Sequence, residues 1–207
     1  MSHKSKNLTI MFVDLVGYTS RSSQMGRIEL NELHDKFDGL VKPIFSEYSG
    51  NIIKKIGDAF LVTFDSPTDA LHCGIKLQDK FKTHNINKND PLSIRVALDN
   101  GDVLIREEDV FGDAVNIAAR VESSTPPGHI YFTESVAHAM NKNEFNFVDV
   151  GIGEFKGVSN PIRMFRIKQD HEKKAEIRAK IIEIVLGVGF VVFLIFAIKW
   201  AIRSGFF

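Results

Sequence analysis

Apolar positions in the first 170 residues alternate between short β-rich runs and stretches of helical spacing. Residues 8–13, LTIMFV, form an apolar run that ends at Asp14, and the GYTS that follows turns the chain into a helix. Leu30, Leu33, Phe37, Leu40, Val41, Ile44, Phe45 and Tyr48 recur at three- and four-residue spacing, which predicts a helix with one buried face. Pro43 falls inside that pattern and predicts a kink or a split last turn, and Gly50 closes it. IIKKIGDAFLVTF, residues 52–64, reads as two strands folded about Gly57 and Asp58, residue types that tolerate tight-turn angles.

Downstream, Ser66 caps a helix with Pro67 at its first position and Asp69 in a capping-box pattern. LSIRVALDNGDVLI is a strand with apolar alternation and an Asn-Gly turn signal, and FGDAVNIAARVESS is helical. HIYFT is a short strand whose Thr133 caps a helix over Glu134 to Met140; FNFVDVG and NPIRMFRIK close the body as strands. This mixed order is not a strict βα alternation. It predicts an α+β fold, a ferredoxin-like βαββαβ sandwich with a mixed or antiparallel sheet.

The pattern changes beyond residue 168. Residues 169–180 read as a charged linker helix. Residues 181–202, IIEIVLGVGFVVFLIFAIKWAI, hold only Glu183 and Lys199 as charges, near the two ends. At about 1.5 Å per residue that stretch spans roughly 30 Å, enough for a C-terminal transmembrane helix followed by a short tail, 203–207. Lys168, Lys173, Lys174, Arg178 and Lys180 precede it and only Arg203 follows. The positive-inside rule then makes the chain single-pass, with its body, residues 1–168, in the cytoplasm and lipid as a partner of the helix.

Charge follows the same division. Residues 1–160 carry 17 Lys and Arg against 22 Asp and Glu, and residues 161–207 carry 9 against 4. An acidic body argues against nucleic acid as the main partner. One cysteine, Cys73, excludes an intrachain disulfide, and the seven histidines show no metal-ligand spacing.

The chemistry-bearing residues are carboxylates at strand ends. Asp14 ends the first strand, and Asp58 sits on the turn between two others. In a ferredoxin-like sheet those places can meet, and two acidic oxygens beside a phosphate suit Mg²⁺ or Mn²⁺. The turn of Gly17, Tyr18 and Thr19 opens a helix whose free N–H groups can hold phosphate. Asn116 and Arg120, four apart, share one helix face.

MFVDLVGYTS, KKIGDAFLVTF and DVFGDAVNIAARVES occur in the order and spacing of class III nucleotidyl cyclase catalytic domains, and EFKGVSNPIRMFRI resembles their closing segment. The resemblance covers residues 7–168. It implies in-line attack of a ribose 3′-oxygen on the α-phosphate, with pyrophosphate leaving, and two divalent metal ions held by Asp14, Asp58 and the Leu15 carbonyl. It assigns Asn116 and Arg120 to the sugar and the transition-state phosphorus, and Lys156, less specifically, to the terminal phosphates.

The purine-reading positions fall on Lys54 and Asp109. A Lys donor with a carboxylate acceptor matches adenine and opposes guanine, so the resemblance implies an adenylate cyclase acting on ATP. Lys55 next door is expected on the opposite sheet face. Asp99 stands where many relatives carry His. Because the family splits each site between subunits, a head-to-tail homodimer is implied, with Lys54 serving the opposite site from Asp58. Alternatives are a guanylate cyclase, a catalytically silent regulatory or dimerisation domain, and a metal-dependent nucleotide phosphohydrolase.

Overall fold

The computed structural model describes residues 4–88 and 90–169, and beyond them only 172, 174, 177, 178, 181, 182 and 184–186. The chain divides into two compact units, Met1–Ile167 and Lys168–Phe207. In chain order the first contains β1 (Lys4–Leu15), α1 (Tyr18–Ser22), α2 (Arg27–Glu47), β2 (Asn51–Ile56), β3 (Ala59–Phe64), α3 (Pro67–His84) and β4 (Ile94–Arg106). There follow β5 (Asp109–Phe111), α4 (Asp113–Ser124), β6 (Ile130–Thr133), α5 (Glu134–Ala139), β7 (Phe147–Gly153) and β8 (Ile162–Ile167).

The sheet order is β2-β3-β1-β4-β6-β8-β7, with β5 paired to β4. The first four strands and their helices form the expected βαββαβ unit, strand order β4-β1-β3-β2, with β1 antiparallel to both neighbours. β6 then adds to β4 in parallel, and β8 and β7 extend the sheet antiparallel.

Alternation along β1 sets the two faces. Met11, Val13 and Leu15 pack with Phe37, Val41 and Phe45 of α2 and Leu71, Leu77 and Phe81 of α3. Leu8, Ile10 and Phe12 pack instead with Val103, Val110 and the Ala114 and Ala118 of α4. Asp14 continues this second series and therefore lies on the α4 side.

Three local expectations change. The last turn of α2 does not split at Pro43: the helix continues to Glu47. Pro43 and Gly39, whose carbonyl loses the hydrogen bond, are both exposed, so water can satisfy that group. Asn100-Gly101 is no turn: β4 passes straight through it, paired Thr9 to Asn100 and Leu8 to Gly101 along the whole of β1. Gly101 serves close packing instead, since a Cβ there would lie 3.2 Å from the Ala114 Cβ. The reversal comes at Glu107 and Glu108, both at positive φ, between β4 and β5. Thr133 stands at the N-cap of α5 but makes no side-chain cap bond. Its hydroxyl donates to the buried Asp99 carboxylate, which also accepts from Ser135 Oγ at 2.5 Å. Ser66, by contrast, caps α3 as expected, accepting from the Asp69 N–H at 3.2 Å.

Among the described residues no helix is long and apolar enough to cross a membrane. Of the segment 181–202 assigned to the membrane, residues 183 and 187–202 lie outside the described residues, as does most of the 169–180 linker.

Candidate active site

Register brings the two strand-end carboxylates together. Asp14 pairs with Ala59 across β1 and β3, so the preceding residue, Asp58, sits beside it on the two-residue Gly57-Asp58 turn. Gly57 takes φ +62°, a left-handed conformation that a side chain would strain. Asp14 is 7% exposed. The Asp58 carboxyl is raised from its usual range by burial, then by the Asp14 charge and a hydrogen bond with Asp14.

On its other side Asp14 pairs with Arg95 of β4. Arg95 Nε donates to Asp14 Oδ2 at 2.7 Å. The same nitrogen lies 2.5 Å from Glu122 Oε1 of α4, but its N–H is directed to Asp14, leaving that buried oxygen with an ionic neighbour and no hydrogen bond. Burial, and then the negative charge of Asp14, push the Glu122 carboxyl up to about 7.

Sequence reasoning missed both Arg95 and Glu122. The signal for Arg95 is a charge inside the otherwise apolar strand SIRVAL; Glu122 carries none until α4 is docked.

The donor set fits divalent ions. Among the described residues no group of three His, Cys, Asp or Glu could hold a metal ion by itself. Mg²⁺ is commonly held by one or two carboxylates and completed by substrate phosphates, which matches a crowded Asp14–Asp58 pair. The mutual charge that raises Asp58 is what a cation between the two groups would relieve.

Beside them the Leu15 side chain is buried, and the Val16 N–H is taken by Ser93 O at 2.8 Å. Gly17, at φ +77°, leads into α1, which is only five residues long. Tyr18 is half-buried, its hydroxyl 2.8 Å from His34 Nε2, and Thr19 is exposed.

The two purine-reading candidates meet. Lys54 of β2 donates from Nζ to Asp109 Oδ2 at 2.5 Å, joining the β2-β3 and β4-β5 hairpins. This hydrogen bond is the first cause holding the Asp109 carboxyl below its usual range. Lys55 points to the opposite face, as alternation requires, where its Nζ lies 2.5 Å from Asp38 and over the Phe37 and Phe60 rings.

The Asn116 and Arg120 side chains are exposed on α4 and make no hydrogen bond or ion pair within the described residues. Arg120 stands about 200° around the helix from Glu122. The chain thus turns Glu122 toward its own Asp14 and Arg120 away. Asn116 lines a cavity of about 270 Å³ with the loop of Gly157, Val158, Ser159 and Asn160. Lys156, exposed, borders an adjoining cleft with Ser159 and Asn160.

Known proteins resemble this chain in sequence and in fold. The chain is 33% identical over 171 residues to the serine/threonine-protein kinase pkn2 of Myxococcus xanthus, covering 82% of this chain and 21% of that protein. It is 27% identical over 159 residues to putative adenylate cyclase 3 of Rhizobium meliloti (strain 1021), covering 75% of this chain and 27% of that one. It therefore spans between a fifth and a third of these two relatives' lengths. Its fold matches the crystal structure of an adenylate/guanylate cyclase/hydrolase from Silicibacter pomeroyi with a TM-score of 0.75 and 26% identity, covering 82% of this chain and 100% of that one. Residues 1–169 match the adenylate and guanylate cyclase catalytic domain, and the chain belongs to that family.

Proposed function

We propose that the chain is an adenylate cyclase that converts ATP to 3′,5′-cyclic AMP and pyrophosphate, at sites shared between two copies arranged head to tail. The observation that carries the choice of ATP is the Lys54–Asp109 pair: one cationic donor and one anionic acceptor, held side by side at 2.5 Å. Adenine offers an acceptor at N1 and a donor at its exocyclic amine, so this pair can open onto both.

Asp14 and Asp58 would hold Mg²⁺ or Mn²⁺, with the Leu15 carbonyl beside them. Bound there, such ions supply Lewis acidity toward the 3′-oxygen and the phosphates. Arg95 anchors the Asp14 carboxylate from the opposite side and fixes its orientation. The Gly17–Thr19 turn and Lys156 face phosphate oxygens. Arg120 lays its guanidinium fork on the phosphorus oxygens as the 3′-oxygen bonds to the α-phosphate and the bond to the β-phosphate oxygen breaks, while Asn116 holds the ribose.

The outward aim of Asn116 and Arg120 supports their action on the nucleotide of a second copy. Residues 181–202 would anchor the chain in a membrane with its body in the cytoplasm. Recovery of the full chain in a soluble fraction without detergent would overturn that anchor.

The test is product analysis: the full chain in detergent, with ATP or GTP and Mn²⁺ or Mg²⁺, products identified by mass. Cyclic AMP with pyrophosphate is expected. Nucleotide bound but unconverted in every condition would favour a silent regulatory domain, and a linear nucleotide product would favour a phosphohydrolase. Mixing an Asp58→Asn chain with an Arg120→Ala chain is expected to restore activity, because one of the mixed dimer's sites keeps both groups. No recovery would overturn the shared site.

A further inference from the structure

α1 carries the turn assigned to phosphate, yet it is five residues long, buries no side chain completely and has no side-chain cap bond. A single turn of helix is not stable by itself, so its placement depends on tethers. One tether is Arg21, bonded to Asp90 and to Pro91 O. The other runs inward. The Tyr18 hydroxyl lies 2.8 Å from His34 Nε2, and the two rings are tilted at 58° with centroids 5.2 Å apart. His34 Nδ1 lies 3.0 Å from Lys55 Nζ. Lys55 belongs to β2, three residues before Asp58.

The chemistry of this relay has one solution. Lys55 is held as an ammonium, because Nζ also bonds Asp38 Oδ1 at 2.5 Å, and Asp38 is kept anionic by Lys42 at 2.8 Å as well. An ammonium has donors and no acceptor. His34 Nδ1 must therefore accept, which puts the single imidazole proton on Nε2 and makes His34 the donor to the Tyr18 oxygen.

We propose that His34 is a positioning residue for the reaction: driven into the Nε2–H tautomer by Lys55, it ties the Gly17–Thr19 turn to the β2-β3 hairpin that carries Lys54 and Asp58. The relay joins the segment assigned to phosphate to the turn assigned to metal, so that Asp58 and the Gly17–Thr19 turn, which serve one site, keep one spacing. This rests on the cyclase reading above.

The test uses the full chain in detergent. In ¹⁵N spectra, with the His34 signal identified by its loss in His34→Gln, His34 is expected neutral with its proton on Nε2; a proton on Nδ1 overturns the relay. With Mn²⁺ and ATP, His34→Ala and Tyr18→Phe are each expected to lower kcat on the order of tenfold, a loss of alignment more than of binding. The double variant should fall no further than the worse single one. His34→Gln, whose amide N–H can reach the Tyr18 oxygen, should recover most of the rate. Additive losses, or a His34→Ala chain with native kcat, overturn the proposal.

If His34→Ala fails to fold, Lys55→Met replaces it. This change keeps the stem over the aromatic rings, removes the ammonium, and should release the tautomer while lowering kcat; native kcat with a mixed tautomer overturns the coupling. A native chain that makes no cyclic nucleotide refutes the cyclase reading, with it the positioning role, and leaves the ¹⁵N result to decide the relay separately.

Discussion

Exchanging the two residues proposed to read the purine, Lys54→Asp with Asp109→Lys, reverses what the site would offer a base while preserving an ion pair between the same positions. In the native chain the pair is 2.5 Å apart with side chains 42% and 28% exposed. A pair so exposed is worth about 0–1 kcal/mol, so opening it to admit a base costs little and reversing it leaves the local fold intact. A hydrogen bond between a base edge and a charged group contributes about 1.5–3 kcal/mol, and partial exposure places this site at the lower end. Two mismatched bonds then cost about 3 kcal/mol, close to a hundredfold in kcat/KM. ATP should lose about that factor, and GTP, whose N1–H donates and O6 accepts, should gain part of it. Equimolar ATP and GTP with Mn²⁺, and initial rates of the two cyclic products by mass, read the ratio directly. A folded, active double variant with the native product ratio would refute the assignment of these residues to the base.

Other expectations test the carboxylates and the core. At a Mn²⁺ concentration of about 100 times Kd, bound metal should stabilise the native chain by about 2.7 kcal/mol. Asp58→Asn should remove most of that gain and the cyclase activity with it, and a variant whose melting point still rises with Mn²⁺ like the native chain's would oppose the metal assignment. Burial raises the Asp99 carboxyl despite its bonds from Ser135 and Thr133. Native folding therefore favours the protonated form, and stability from this group is full below the ordinary carboxylate range and lost as pH rises through the raised value. Urea titrations of Asp99→Asn should lack that loss and show the variant gaining on the native chain toward neutral pH. The Cys73 thiol, pushed up to about 12 by burial and by Glu47, should resist a thiol reagent at pH 8 until the chain unfolds. Labelling of the folded chain at the rate of a free cysteine would contradict its burial.

Local spacing made much of this protein legible. The helical repeat from Leu30 to Tyr48, the two-residue turn at Gly57-Asp58 and the Ser66 cap each depend on neighbours a few residues away. The opposite facing of Lys54 and Lys55 also follows from strand alternation alone. Where a local signal misled, a longer-range partner had overruled it: Asn100-Gly101 stays extended because β1 pairs along its length, and Pro43 stays helical because its broken bond faces water.

The sequence by itself determined the βαββαβ order, the two strand-end carboxylates, and a cationic donor at Lys54 with an anionic acceptor at Asp109. Tertiary structure alone decided that Arg95, 81 residues along the chain, would grip Asp14, that Glu122 would be pressed uncapped against the same site, and that Lys55 would reach Tyr18 through His34. Those contacts depend on strand register and helix docking, which bring together residues whose separation along the chain carries no periodic signal.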